Sequence, residues 1–149
     1  MKAPRSRTSQ ITKGNYETLA ALRHALRRFL LFSEAAARSA GIPPQQHQAL
    51  LAIKGFRGRD WVTMGELADG LQVRHHSAVG LVDRLVARQL VKRALSADDR
   101  RRVHVRLTAR GEALIRRLSA AHLDELARLG PELRKLIGLT GGRSAAHDR

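Results

Sequence analysis

The side chains able to do chemistry in this 149-residue chain are its charges and its histidines, because it contains no cysteine. That absence excludes disulfides, thiolate catalysis, thiol redox sensing and every Cys-ligated zinc or iron–sulfur site. Seven histidines, at 24, 47, 75, 76, 104, 122 and 147, invite a metal reading. None forms an H-x-x-x-H pair and no acid cluster stands near to complete a ligand set, so no metal is expected. The chain shows no Ser/His/Asp constellation, no Gly-rich phosphate loop and no close pair of carboxylates on one element. Asp98-Asp99 lies in an arginine-rich turn, where it reads as turn structure. The expectation is a protein that is not an enzyme and has no cofactor.

The charges point elsewhere. Lys plus Arg number 28 against 13 Asp plus Glu, a formal net charge of +15. A balance this basic calls for a polyanion, nucleic acid before an anionic membrane surface. The excess is uneven: residues 1–13 carry +4, 14–73 carry +2, 74–110 carry +7 and 111–149 carry +2. Thus 37 residues in the middle hold nearly half of it. Arginine dominates the cations, and its planar fork suits bidentate phosphate and guanine contacts.

Those charges need elements to carry them. Residues 1–13 read as disordered or extended. From about Asn15 to Ser39, Leu19, Leu22, Leu26, Phe29 and Ser33 recur at helical spacing, with Leu30 and Phe32 widening the stripe. Gly41 and Pro43-Pro44 end this helix and start another, to about Phe56. Trp61-Val62 is a candidate short strand. Thr63-Met64-Gly65-Glu66 is a capping box opening a short helix through Leu71. A further helix, about Arg74 to Arg88, turns Ala78, Leu81, Val82 and Leu85 inward. It leaves His75, His76, Val79, Gly80, Asp83 and Arg84 outward. Two short helices across a tight turn, the second polar and basic outside, match a helix-turn-helix.

Leu90 to Leu95 and Arg102 to Thr108 then read as a hairpin. Val103, Val105 and Leu107 alternate with Arg102, His104 and Arg106. A hairpin directly after the second helix is a wing, and its tip, Arg100-Arg101-Arg102, suits the negative potential of a minor groove. After Thr108, Ile115, Leu118, His122, Leu126, Leu129, Leu133 and Leu136 fall at helical spacing, and Gly130-Pro131 is expected to divide the run into two helices. Thr140 to Arg149 is polar and Gly-rich and is expected to be disordered.

The terminal helices carry Leu-rich stripes that a lone chain would leave in water. Two-fold pairing would bury them and set two recognition helices on successive half-sites of a pseudo-palindromic duplex. The partners expected are therefore double-stranded DNA and a second copy of the chain, with no membrane. No apolar stretch reaches the length of a membrane span, and the polar, basic start lacks the apolar core of a secretory signal, giving a cytoplasmic expectation. The rival reading is a non-regulatory basic module, architectural or RNA-binding. The 3% aromatic content argues against base stacking on single strands.

With these motifs in view, residues 16–138 resemble the MarR (multiple antibiotic resistance regulator) family of winged helix-turn-helix transcription factors. Asp99-Arg100-Arg101-Arg102-Val103-His104-Val105-Arg106-Leu107-Thr108-Ala109-Arg110-Gly111 fits the family's D-x-R wing followed by V-x-L-T-x-x-G. Leu81-Val82-Asp83-Arg84-Leu85 fits the end of its recognition helix. The resemblance implies a mainly α fold with a small β wing, a winged helix-turn-helix flanked by N- and C-terminal dimerisation helices. It also implies a homodimer, often a repressor, whose DNA affinity falls when a small molecule binds.

Carried onto this sequence, the DNA face is Arg74, His75, His76, Ser77, Gly80 and Arg84 with Arg100, Arg101 and Arg102. His75 and His76 are open to two readings, contact with phosphate or guanine and plain exposure to solvent. Asp99 is expected to structure the wing and Asp83 to pair with Arg101. The family's usual glycine after the recognition helix is missing; Gln89 stands there. For a small-molecule effector of unknown identity the candidates are His24, Arg27 and His122. The implied organisation is a basic arm over 1–14, a dimerisation helix over 15–42, a DNA-binding region over 43–107, dimerisation helices over 108–139 and a tail over 140–149.

Overall fold

The computed structural model describes residues 7–99 and 101–141. Arg7–Gln10 forms a 3-10 turn. Then follow α1 (Lys13–Ser39), α2 (Pro44–Lys54), β1 (Trp61–Thr63), α3 (Met64–Leu71), α4 (His75–Ala87), β2 (Val91–Leu95), β3 (Val103–Leu107) and α5 (Ala109–Gly141). The strands make one antiparallel sheet in the order β1-β3-β2. The hairpin register pairs Val91 with Leu107 and Leu95 with Val103, and β1 pairs Trp61 with Arg106 on the other edge of β3. This is the mainly α fold with a small wing that the sequence predicts.

The chain divides into two compact units, residues 33–122 and residues 1–32 with 123–149. The core of the first is one apolar cluster. Leu50 and Ile53 of α2, Leu67 of α3, Val82 and Leu85 of α4, Val105 of β3 and Ile115 of α5 all enter it. The predicted inward face of α4 is buried throughout: Ala78, Leu81, Val82 and Leu85 are 0–6% exposed. Along β3 the alternation holds at Val105 and Leu107, which are buried, and fails at Val103, which is 37% exposed toward the hairpin tip.

Local chemistry sets the boundaries. Thr63 caps α3 as the sequence predicts: its hydroxyl accepts from the Glu66 amide, and the Glu66 carboxylate accepts from the Thr63 amide. Glu66 also pairs with Arg59, whose guanidinium lies 3.8 Å from the Trp61 ring and 4.4 Å from Phe56. Three helix ends share one device, a left-handed residue closed by paired 6→1 and 5→2 bonds. After α1 it is Gly41, at φ 78°. After α3 and α4 it is Gln72, at φ 57°, and Gln89, at φ 60°. At Gln89 the Leu90 amide donates to Leu85 and the Gln89 amide to Val86. The glycine missing from the sequence is thus replaced by a strained glutamine in an otherwise ordinary cap.

Three sequence expectations are corrected. The first residues do not stay extended up to position 13: 7–10 turn, and α1 begins at Lys13. Thr12 and Asn15 form a reciprocal cap there, the Asn15 carbonyl accepting from the Thr12 amide and the Thr12 hydroxyl from the Asn15 amide. The second helix stops at Lys54, where Gly55 caps it, short of Phe56. Gly130-Pro131 does not divide the C-terminal run; α5 is continuous with Pro131 inside it. Proline removes a single amide from the ladder, and the buried Leu129 and Leu136 anchor the helix on both sides of the gap. Residues 1–6 of the basic arm and 142–149 of the tail lie outside the described residues; Thr140 and Gly141 are helical.

In the other unit, the start of α1 and the end of α5 border a common cleft lined by Thr18, Ala21, Leu136 and Leu139. Ala25, Leu129 and Leu136 are buried there, while Leu19, Leu26, Leu30, Leu31, Leu123, Leu126, Ile137 and Leu139 are exposed.

Candidate nucleic-acid interface

Burying Ala78, Leu81, Val82 and Leu85 fixes the rotation of α4, and its opposite face must then meet solvent. Arg74, His75, His76, Ser77 and Arg84 are exposed and Gly80 is half-buried. Arg74 is the N-cap, extended at φ −71° and ψ 154°, and its side chain makes no capping bond. Its charge is thus carried at the helix start on a side chain that does no local work. His76, Ser77, Gly80 and Arg84 line one groove, shared with Gln45 and Gln48 of α2. His75 is not part of that groove, as expected of adjacent residues on a helix.

Gln45 and Gln48 were not among the sequence candidates. The polar run Gln45-Gln46-His47-Gln48 was the available signal, half of it outward: Gln46 and His47 are buried and Gln45 and Gln48 exposed. Gly80 is not demanded by packing, since a Cβ there would meet only Arg84 Nη1 at an ordinary 3.6 Å.

The hairpin carries the second cationic group. Arg101 and Arg102 are exposed at its tip; Arg100 lies outside the described residues. Asp99 structures the turn through the backbone: its Oδ1 accepts from the Arg101 amide at 2.9 Å, and Oδ2 lies 3.9 Å from Arg102 Nε. The Arg102 amide donates to the Asp99 carbonyl, and the Ser96 amide to the Arg102 carbonyl. This leaves the Arg101 guanidinium without an acidic partner among the described residues. The expected Asp83–Arg101 pair is not formed. Asp83 pairs with Arg93 of β2, because β2 runs back beside α4 directly after the turn while Arg101 sits at the far end of the hairpin. Lower on the sheet, His104 stacks on Trp61 with ring centroids 3.5 Å apart.

A helix-turn-helix followed by a basic hairpin is a frequent arrangement, and known proteins share it. Residues 40–102 match the family model described as MarR family. The likeness to that family thus lies in the winged segment. No curated protein matches the chain significantly. Among solved structures, AbsC, a MarR family transcriptional regulator from Streptomyces coelicolor, superposes with TM-score 0.69 at 19% identity, covering 90% of this chain and 92% of that one. A MarR family protein from Bacillus stearothermophilus gives 0.67 at 24% identity, covering 85% and 82%. The S. aureus MepR–DNA complex gives 0.62 at 20%, covering 83% and 85%. At such identities the likeness is one of fold.

The geometry gives the MarR-type L-T-x-x-G motif a physical meaning. Thr108 caps α5: its hydroxyl accepts from the Gly111 amide and donates to the Gln89 carbonyl at 2.7 Å. Its amide donates to the Leu90 carbonyl. The end of α4, the base of the hairpin and the start of α5 are thereby tied together. A Cβ on Gly111 would come within 2.1 Å of the Leu90 carbonyl oxygen, so the position admits only glycine.

The effector candidates fall in both units. His24 and Arg27 are exposed on α1, in the unit made by the chain ends. His122 is buried in the other unit. Its Nδ1 donates to the Leu118 carbonyl at 2.6 Å, which leaves Nε2 to accept from the Ser33 hydroxyl at 2.8 Å when the ring is neutral. The His47 ring lies 4.8 Å away. Burial, and secondarily the charge of His122, hold the His47 pKa below the ordinary histidine value. Among the described residues no three potential ligands gather as a metal site, and no helix is long and apolar enough to cross a membrane.

Proposed function

We propose that this chain is a sequence-specific double-stranded-DNA-binding transcriptional regulator, a homodimer acting on a pseudo-palindromic operator as a ligand-responsive repressor in the cytoplasm. One observation carries the DNA reading. The outward face of α4 presents Arg74 and Arg84, and the hairpin tip Arg101, none of which makes an ion pair with a carboxylate of the described residues, while the reverse face of α4 is buried. Unpaired arginines on a rigid helix and a ribbon suit phosphate and guanine edges. The MarR-family match of the winged segment supports this reading, as does the fold shared with MepR, which has been solved on DNA.

The homodimer is supported by the exposed leucines of α1 and α5, since exposed apolar patches mark interaction surfaces. The regulator role, and with it the lack of enzyme activity, follows the family.

The test selects bound fragments from genomic DNA and then compares affinity for the selected duplex, random duplex and single-stranded RNA at moderate salt. Selected duplex is expected to bind at least about 1,000-fold more tightly than random duplex. Equal affinity for all three would replace the regulator with a non-regulatory basic module.

A further inference from the structure

We propose that a column of four side chains, Phe56, Arg59, Trp61 and His104, aims the hairpin at DNA by gripping it at the last point where the sheet supports it. Trp61 is the positioning residue, and it acts through Arg101 at the hairpin tip. This role rests on the proposed DNA reading and adds to it what sets the place of the wing.

Trp61 is the chain's only tryptophan, and it stands outside the apolar core cluster. In the β1–β3 register Trp61 is opposite Arg106 and Thr63 is opposite His104. Opposed residues share a face of the sheet, so Trp61 and His104 are diagonal neighbours, on the face away from the buried Val62 and Val105. Their rings stack with centroids 3.5 Å apart and planes inclined by 15°. The Arg59 guanidinium lies 3.8 Å from the centre of the Trp61 ring and 4.4 Å from that of Phe56. Two flat groups centred so near one ring have no room on the same face, so Trp61 is held between Arg59 and His104. Arg59 is fixed in turn by its ion pair with Glu66 Oε2, while Glu66 Oε1 accepts from the Thr63 amide at the cap of α3. The column thus runs from the first turn of the helix-turn-helix to the wing strand.

Its place on the hairpin gives it leverage. β1 pairs with β3 only as far as His104, and beyond that residue β3 has β2 alone. Arg101 is three residues farther on, roughly 10 Å, so a tilt of about 10° at His104 moves the tip by about 2 Å. On the other strand, Arg93 pairs with Asp83 of α4 and stands opposite Val105, next to His104. One strand of the hairpin is therefore tied to the recognition helix and the other to the start of α3. The burial that holds the sheet lies on its inner face, at Val62, Val91, Val105 and Leu107. What the outer column supplies is direction.

The test is a double-mutant cycle between Trp61 and Arg101, read as affinity of the full chain for duplex DNA over a series of salt concentrations. Arg101→Ala alone should weaken binding about tenfold and lower the slope of log affinity against log salt by about 1. Trp61→Leu should do nearly the same, because a misdirected tip loses its contact. With Trp61→Leu in place, Arg101→Ala should cost no more than about twofold further, whereas Arg74→Ala on α4 should keep its full cost. Trp61→Phe, which leaves a ring between Arg59 and His104, should stay within about twofold of wild type. A merely structural role would weaken the Arg74 and Arg101 contacts alike. If Trp61→Leu does not fold, His104→Val removes the stack from the β3 side and carries the same cycle. Unchanged affinity in the Trp61 variant, or an Arg101→Ala cost as large there as in wild type, would overturn the proposal. Random duplex serves in the cycle as well as selected duplex. A chain that prefers no sequence but shows the coupling loses the regulator and keeps the column. One that prefers its operator and shows additive losses keeps the regulator and loses the column.

Discussion

Gln89 and Gly111 are the two positions where backbone geometry and residue type meet most sharply. At φ 60° a side chain with a Cβ costs about 1–2 kcal/mol relative to glycine. Part of that is returned by the lower entropy of glutamine in the unfolded chain. Gln89→Gly should therefore stabilise the fold by about 1 kcal/mol, read as a higher urea midpoint with unchanged slope. Gly111→Ala should do the opposite. The new methyl meets a backbone oxygen that already accepts from the Thr108 amide. A loss of about 3 kcal/mol is expected, combining overpacking with a disturbed hydrogen bond. A midpoint within error of wild type would mean that α5 starts elsewhere. Both residues lie on motifs visible in the sequence, yet only the paired cap bonds and the Leu90 contact say what each does.

At the scale of elements, α4 and the hairpin divide the proposed work between reading and positioning. Arg74→Ala should weaken binding to a selected operator by about 1–3 kcal/mol more than to random duplex, if its side chain reads a base edge. Arg101→Ala should weaken both while leaving the oligomeric state intact, since its amide, not its guanidinium, holds the turn. Competition binding at fixed salt separates the two, and unchanged affinity in both variants would mean the DNA face lies elsewhere.

The packing of α2 against α5 sets a pH dependence. The folded state keeps His47 below the ordinary histidine pKa of about 6.5. As pH falls below that value the unfolded chain takes up a proton that folded His47 refuses, so stability declines toward the folded pKa and is full above about pH 6.5. Urea midpoints should fall between about pH 7.5 and about pH 5.5, and His47→Gln should flatten that slope. An identical slope in the variant would assign the effect to other groups. The α4 face and the hairpin alternation are legible as sequence periodicity. The His47–His122 contact is not, because 75 positions separate the two residues and no local pattern links them.

For the whole molecule, the exposed leucines of the chain-end unit are the main unanswered surface. If a second copy covers them, Leu26→Glu with Leu30→Glu should give a monomer by analytical ultracentrifugation at micromolar concentration. Operator affinity should then fall steeply, because each half-site would bind alone. A wild-type chain that is already monomeric would remove the dimer. The charge distribution fits the same division: +7 of the formal +15 falls on residues 74–110, whereas residues 14–73 and 111–149 carry +2 each.

The sequence by itself determined what depends on neighbours along the chain. The buried face of α4, the Thr63–Glu66 cap and the hairpin are each written within one short stretch of chain, and the basic middle segment within 37 consecutive residues. Their physics is local: side-chain period, capping and turn chemistry. Tertiary structure decided what depends on groups brought together from afar. It gave Asp83 to Arg93, carried α5 through Pro131, set Gln45 and Gln48 beside the recognition helix, and stacked His104 on Trp61. A helix-breaking or charge-pairing preference of about 1–3 kcal/mol is small beside the burial of a shared core, so the core chose among these alternatives.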